Sequence, residues 1–167
     1  MSAHQLKAAA SRGNASAGFT LIELLLTMAM VIVLAAMAIP AAHSAIASYQ
    51  LSAATQYVSG VIQSTRYQAI MHGYPYQLDL NAATAACQIS SEPGGTTSFS
   101  NVGGAVPISG SPIAVGTGST GHATMQFKAN GSVVIVSGQT PPMSLTISYN
   151  GTTKTITVSN YGSVTVH

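Results

Sequence analysis

From Leu24 to Ile39 the chain holds no charged residue, no glycine and no proline. Leu, Ile, Val, Met and Ala fill every position of that run except Thr27. With Phe19 to Ile22 in front and Ala41-Ala42 behind, residues 19–42 would span roughly 36 Å as a helix, enough to cross a hydrocarbon core of about 30 Å. No other feature constrains the fold as much, because this segment must be set apart from whatever core the remaining residues build. Glu23 breaks the pattern just inside the apolar block. On insertion scales an ionised carboxylate there costs up to about 3 kcal/mol, less near the interface. A carboxylate in that position points to a function and to a partner.

Residues 1–18 carry Lys7 and Arg12 and no acid, so this end should stay cytoplasmic, with everything after Ala42 outside. Ala15-Ser16-Ala17 has the form of a secretory cleavage box. It precedes the apolar segment instead of following it, so it is read as coincidence. Charged residues make up 5% of the chain, far below the usual quarter, so the surface must be built from Ser, Thr, Gln, Asn and Gly. Past residue 18, Arg66, Lys128 and Lys154 stand against Glu23, Asp79 and Glu92, and no basic patch for nucleic acid is visible. The single cysteine, Cys87, excludes an intramolecular disulfide.

The helical pattern resumes after Pro40. Ile46, Tyr49, Ala53, Tyr57, Val61 and Thr65 recur at three- and four-residue spacing, which predicts one apolar stripe facing the domain. Arg66 suits a helix end through the dipole, and Gly73 with Tyr74-Pro75 should terminate it near His72. Beyond that the pattern is β. Tyr74, Tyr76, Leu78 and Leu80 alternate, Asn81 to Thr84 turns the chain, and Ala86 to Ile89 returns it. Residues 91–121 shift to Gly, Ser, Thr and Pro and read as a loop with two short apolar islands, at 106–108 and 113–115. Asn130-Gly131 and Asn150-Gly151 are hairpin turns, and a last strand carries Val164 and Val166. The expected class is α+β, a long helix packed on an antiparallel sheet domain. The expected division is 1–18, then a membrane-spanning helical half at 19–42, an outer half at 43–73, and a β domain at 74–167.

Gly18-Phe19-Thr20-Leu21-Ile22-Glu23 directly before a membrane-length segment resembles the signal of type IV prepilins and type II secretion pseudopilins. The resemblance implies that 1–18 is a leader, that a prepilin peptidase cuts after Gly18, and that the new N-terminal Phe19 is N-methylated. It implies that Glu23 pairs with the amino terminus of a neighbouring subunit during assembly, and that Pro40 kinks or locally melts the helix. The implied partners are the prepilin peptidase, an inner-membrane assembly platform, other pilins or pseudopilins, and the membrane crossed once. The implied location is the inner membrane with the C-terminal domain in the periplasm, then the fibre. The C-terminal half is similar to the GspH/FimT minor pilins. The similarity lies in Met125-Gln126-Phe127, Asn130-Gly131, the Thr-rich stretch from Leu145 to Val158, and Gly162 to Val166. Arg66, Ala69, Ile70 and Gly73 also fit. The function implied is a non-enzymatic minor subunit of a type IV pilus at its tip, with a type II secretion pseudopilus as the alternative.

Other chemistry finds little to stand on. Gly116 to Gly121 satisfies G-x-G-x-x-G, but His122 to Lys128 reads as a strand where a dinucleotide site needs a helix. No two of His4, His43, His72, His122 and His167 stand at i, i+4, and carboxylates are too few to complete a metal site; no cofactor is expected. Asp79 and Glu92 are separated by a turn, Cys87 reads as a small core residue, and no nucleophile motif is present, so no catalytic residue is assigned. Asn130-Gly131-Ser132 and Asn150-Gly151-Thr152 match glycosylation sequons, which turn chemistry already explains. Some FimT-like pilins resemble one another in a Gly-Arg-x-Arg DNA-binding motif. The matching Gly162-Ser163-Val164-Thr165 lacks both arginines, which disfavours DNA as a partner.

Overall fold

A computed structural model describes residues 18–108, 114–116, 122–136 and 142–167. The leader expected at 1–17 therefore lies outside the described residues, as does most of the G-x-G-x-x-G stretch. The helix α1 spans Leu21–His72. The chain divides into two compact units, one up to Ala41 and one over Ala42–His167.

From Leu21 on, the described part of the first unit is helix. Every described side chain in it is exposed, and its stretch of α1 is apolar enough to cross a membrane. Thr27 satisfies its hydroxyl by donating to the Leu24 carbonyl at 2.9 Å, which lets a polar residue sit in an apolar run. Helix continues through Pro40.

The second unit packs the outer half of α1 on two antiparallel sheets. The strands are β1 Tyr76–Asn81, β2 Ala86–Ser91, β3 Ser100–Asn101, β4 Val106–Pro107, β5 Ala114–Gly116, β6 His122–Phe127, β7 Val133–Ile135, β8 Met143–Tyr149, β9 Thr152–Val158 and β10 Val164–Val166. One sheet has the order β3-β2-β1-β6-β7, with β4 also pairing β2; the other has the order β10-β9-β8-β5. The β1–β6 pairing sets Leu78 opposite Met125 and Tyr76 opposite Phe127, and β8–β9 sets Leu145 opposite Ile156. Period-two alternation turns these residues to one face. They join Leu51, Val58 and Ile62 of α1 in one buried cluster. Full burial of a side chain of this size contributes about 1.5–3 kcal/mol.

The buried stripe is rotated from the expected one toward Leu51, Val58 and Ile62, although Thr65 is buried as expected and Tyr57 and Val61 pack half-buried against the core. The buried residues are Ala47, Leu51, Ala54, Thr55, Val58, Ile62, Thr65 and Ala69, whereas Ile46 and Tyr49 are 55% and 76% exposed. Two stripes one residue apart differ by about 100° on the helix. The tyrosines made the wrong one look richer. A phenol prefers a site where its hydroxyl stays wet, whereas Leu51, Val58 and Ile62 have no such need. Buried Thr55 and Thr65 donate to Leu51 O and Val61 O, each at 2.7 Å, so their hydroxyls do not oppose burial.

Gly73 ends α1 with φ +73°, where a left-handed residue closes the last turn. Around it, the rings of His72, Tyr74 and Tyr76 cluster, with centroids 5.6 Å, 5.7 Å and 5.4 Å apart. The expected loop at 91–121 contains three short strands. β4 places Pro107 on an exposed edge, where a missing N–H is harmless, and delivers Ile108 into the core. Asn150-Gly151 is a two-residue hairpin with both φ values positive, +48° and +78°. Asn130-Gly131 belongs to a longer turn: Gly131 N donates to Lys128 O at 2.8 Å, and Lys128 N to Ser132 O at 2.9 Å. The turn before β10 has the same build, with Gly162 N donating to Ser159 O and Ser159 N to Ser163 O.

Candidate processing and assembly site

Thr20 begins α1. Its carbonyl accepts from Glu23 N at 3.1 Å and Leu24 N at 3.2 Å, and its hydroxyl accepts from Glu23 N at 3.3 Å. Thr20-x-x-Glu23 is thus half of a capping box, the Thr side chain covering one of the helix's orphan donors. Glu23 also sits where the positive end of the helix dipole favours a carboxylate. Its side chain has no hydrogen-bond or ion-pair partner among the described residues. Capping and the dipole account for a carboxylate at the helix start but give its charge no ionic partner among the described residues.

Phe19 is 79% exposed, and a methyl placed on Gly18 would meet nothing within 4 Å. The fold therefore imposes no glycine at 18. Any requirement for one must come from whatever acts on the segment. The sequence from 13 to 39 matches the family model described as the prokaryotic N-terminal methylation motif. The fold is similar to that of the minor pseudopilin EpsH from the type 2 secretion system of Vibrio cholerae. The TM-score is 0.53 at 10% identity, covering 70% of this chain and 94% of that one.

The chain thus carries a prokaryotic N-terminal methylation motif on a fold like that of a minor pseudopilin.

The type IV minor pilin FimU of Pseudomonas aeruginosa is also similar, with a TM-score of 0.49 at 16% identity over 72% of this chain and 90% of that one. No curated protein matches in sequence.

The other residues singled out from the sequence fall at separate places. Asp79 on β1 accepts from Thr124 at 3.0 Å and meets His122 Nδ1 at 3.3 Å, both on β6. Sequence reasoning did not bring Asp79 and His122 together, although their strands are neighbours. Glu92 lies beside Pro75, past the far end of β1, so it does not pair with Asp79. Cys87 is buried, and burial followed by the Asp79 charge pushes its thiol up to about 11. A thiol held neutral at ordinary pH is a poor nucleophile. Among the described residues, no three of His, Cys, Asp and Glu gather as a metal site. Gly116 ends one strand and His122 opens another, so the glycine-rich stretch leads into β6 and not into a helix.

One residue of consequence was misplaced. Arg66 was expected to serve the helix end. Instead, its Nε donates to Gly131 O at 3.0 Å, and its side chain lies against Gly162. Val133 N donates to Asn160 O at 3.0 Å, tying the two similar turns together beside it. The signal available in the sequence was the pair of Asn-Gly and Tyr-Gly turns, each followed by Ser, at 130–132 and 161–163.

Proposed function

We propose that this chain is a structural minor subunit of a type IV pilus, of GspH/FimT type, placed at the fibre tip. A prepilin peptidase cuts after Gly18 and N-methylates Phe19, and an inner-membrane platform then extracts the subunit into the fibre. Until then the apolar half of α1 holds it in the inner membrane, with the β domain in the periplasm. The observation that carries this reading is the methylation motif ending within an apolar helix of membrane length, with a carboxylate at Glu23 that has no ionic partner among the described residues. In lipid, an ammonium is the natural partner for that carboxylate, since each offsets the other's desolvation. Pro40 lies toward the end of the apolar run, where a missing N–H leaves room for the helix to bend.

The second reading is a minor pseudopilin of a type II secretion system, favoured by the fold similarity to EpsH. The two differ in the machine served, not in the chemistry of the chain. A FimT-like DNA receptor is a weaker reading. Ser163 and Thr165 stand where that motif has arginines, and phosphate binding rests on cations. The deciding experiment is mass spectrometry of the mature N-terminus in the native host. N-methylated Phe19 is expected, and Gly18→Val should leave an uncut precursor. A mature N-terminus at any other residue overturns the proposal.

A further inference from the structure

A groove of about 290 Å³ opens beside Arg66, walled by Gln63, Tyr67 and Ile70 of α1 and by Gly162 and Ser163. Arg66 is half-buried and is not ion-paired among the described residues. Its contact with Gly131 uses Nε, one of the five N–H donors a guanidinium carries. A partly desolvated cation without a counter-charge is unfavourable, and truly buried ones are paired. Bracing the two turns explains Nε and the aliphatic stem. It does not explain a full charge facing an open groove.

The surroundings indicate what completes it. Tyr67 and Met71 are 62% and 63% exposed, and Tyr161, on the turn that forms one wall, is 81% exposed. Exposed tyrosine, methionine and arginine with no acid among them is the composition that protein interfaces concentrate. A nucleic-acid groove would string several cations along its length, whereas Arg66 is the one cation in this lining.

Resting on the fibre-subunit reading above, we infer that this groove docks an acidic side chain of a neighbouring pilin-type subunit. The carboxylate meets the free edge of the Arg66 guanidinium, and an apolar neighbour of that acid covers Tyr67 and Ile70. Arg–carboxylate pairing is directional and often bidentate, so it would fix the register of the two domains as well as their affinity.

The test places the photo-crosslinking residue p-benzoylphenylalanine at Tyr67 of the full chain in its native host. Both membranes and sheared fibres are sampled. The crosslinked peptide should come from a subunit with its own prepilin-type N-terminus and should contain Asp or Glu. Gln63 is exposed and one turn from Arg66, so Gln63→Glu supplies an internal carboxylate that competes for the guanidinium. Crosslink yield should then fall about tenfold, whereas a glutamate at an exposed position of α1 outside the groove, Gln56→Glu, should leave it unchanged. Thermal melting should stay the same in both variants. The inference is overturned if a cleaved and incorporated chain gives no crosslink from this position. It is also overturned by a partner peptide without an acid, by capture of nucleic acid, or by a yield that ignores Gln63→Glu. Failure of cleavage after Gly18 instead overturns the fibre-subunit reading, and the proposed partner class with it.

Discussion

Arg66 occupies the space that a side chain at Gly162 would need. A methyl built on Gly162 would come within 2.7 Å of Arg66 Cδ and 2.8 Å of Nε. Gly162 also has φ +73°, in the left-handed region, so both backbone and neighbour demand glycine there.

Gly162→Ala should therefore be more destabilising than Gly151→Ala. Gly151 has a similar φ of +78° but open space around it. Strain alone predicts about 1–2 kcal/mol for Gly151→Ala. The clash with Arg66 should add about 1–3 kcal/mol for Gly162→Ala. Paired denaturant titrations of the two variants check this, and equal losses would mean that Arg66 simply moves aside.

Glu23→Ala should leave cleavage after Gly18 intact and prevent incorporation into fibres. Removing one member of a buried charge pair costs on the order of 3 kcal/mol or more, because the neighbour's Phe19 ammonium is left unpaired. Thr20→Ala provides the contrast. It removes the cap and should cost about 1 kcal/mol without abolishing assembly. Immunoblots of sheared fibres and of inner membranes separate the two outcomes. Normal incorporation of Glu23→Ala would reduce Glu23 to a capping-box residue.

A chain beginning near Ser44 should fold as a soluble β-rich domain. Starting there keeps Ala47, Leu51, Val58 and Ile62, the stripe that α1 buries. Val58→Asp should abolish the β-signal in circular dichroism, whereas Tyr49→Asp, on the exposed face, should leave it intact.

The contrast between Val58 and Tyr49 shows where the sequence could be read and where it could not. The membrane-length run, the helix end at Gly73, the alternating strands and the Asn150-Gly151 hairpin follow from local rules that leave little freedom. The rotation of the outer helix does not. Two apolar stripes compete on its surface, and the sheets select one through shape that is invisible until the strands pair. Residues 91–108 lack periodicity because their strands are two residues long, too short for alternation to register. The methylation motif was legible because its residues are contiguous. The Arg66 junction was not, because it joins position 66 to turns near 131 and 162.

Stability should fall as pH rises above about 9. Burial, and then the Asp79 charge, raises Cys87 from 9.0 to about 11. Burial, then the Tyr74 hydroxyl and its charge, raises Tyr76 from 10.0 to about 12. Both groups stay protonated in the folded state while the unfolded chain releases its protons. Their contribution is therefore full below about 9 and lost progressively up to about 12. Melting temperature measured from pH 7 to 11 tests the slope, and Cys87→Ala should remove its lower part. Alkylation of Cys87 at pH 8 should be slow in the native state and rapid in denaturant.

Arg66, Lys128 and Lys154 all stand without a carboxylate partner among the described residues. The folded domain thus has little internal electrostatic energy for dissolved ions to screen. Raising the ionic strength from about 0.01 M to 1 M shortens the screening length from about 30 Å to about 3 Å, yet the melting temperature of the domain should scarcely respond. If fibre incorporation of the same chain weakens over that range, the sensitive contacts lie between subunits. Ionic strength then becomes a reporter of assembly that leaves the fold of each subunit undisturbed.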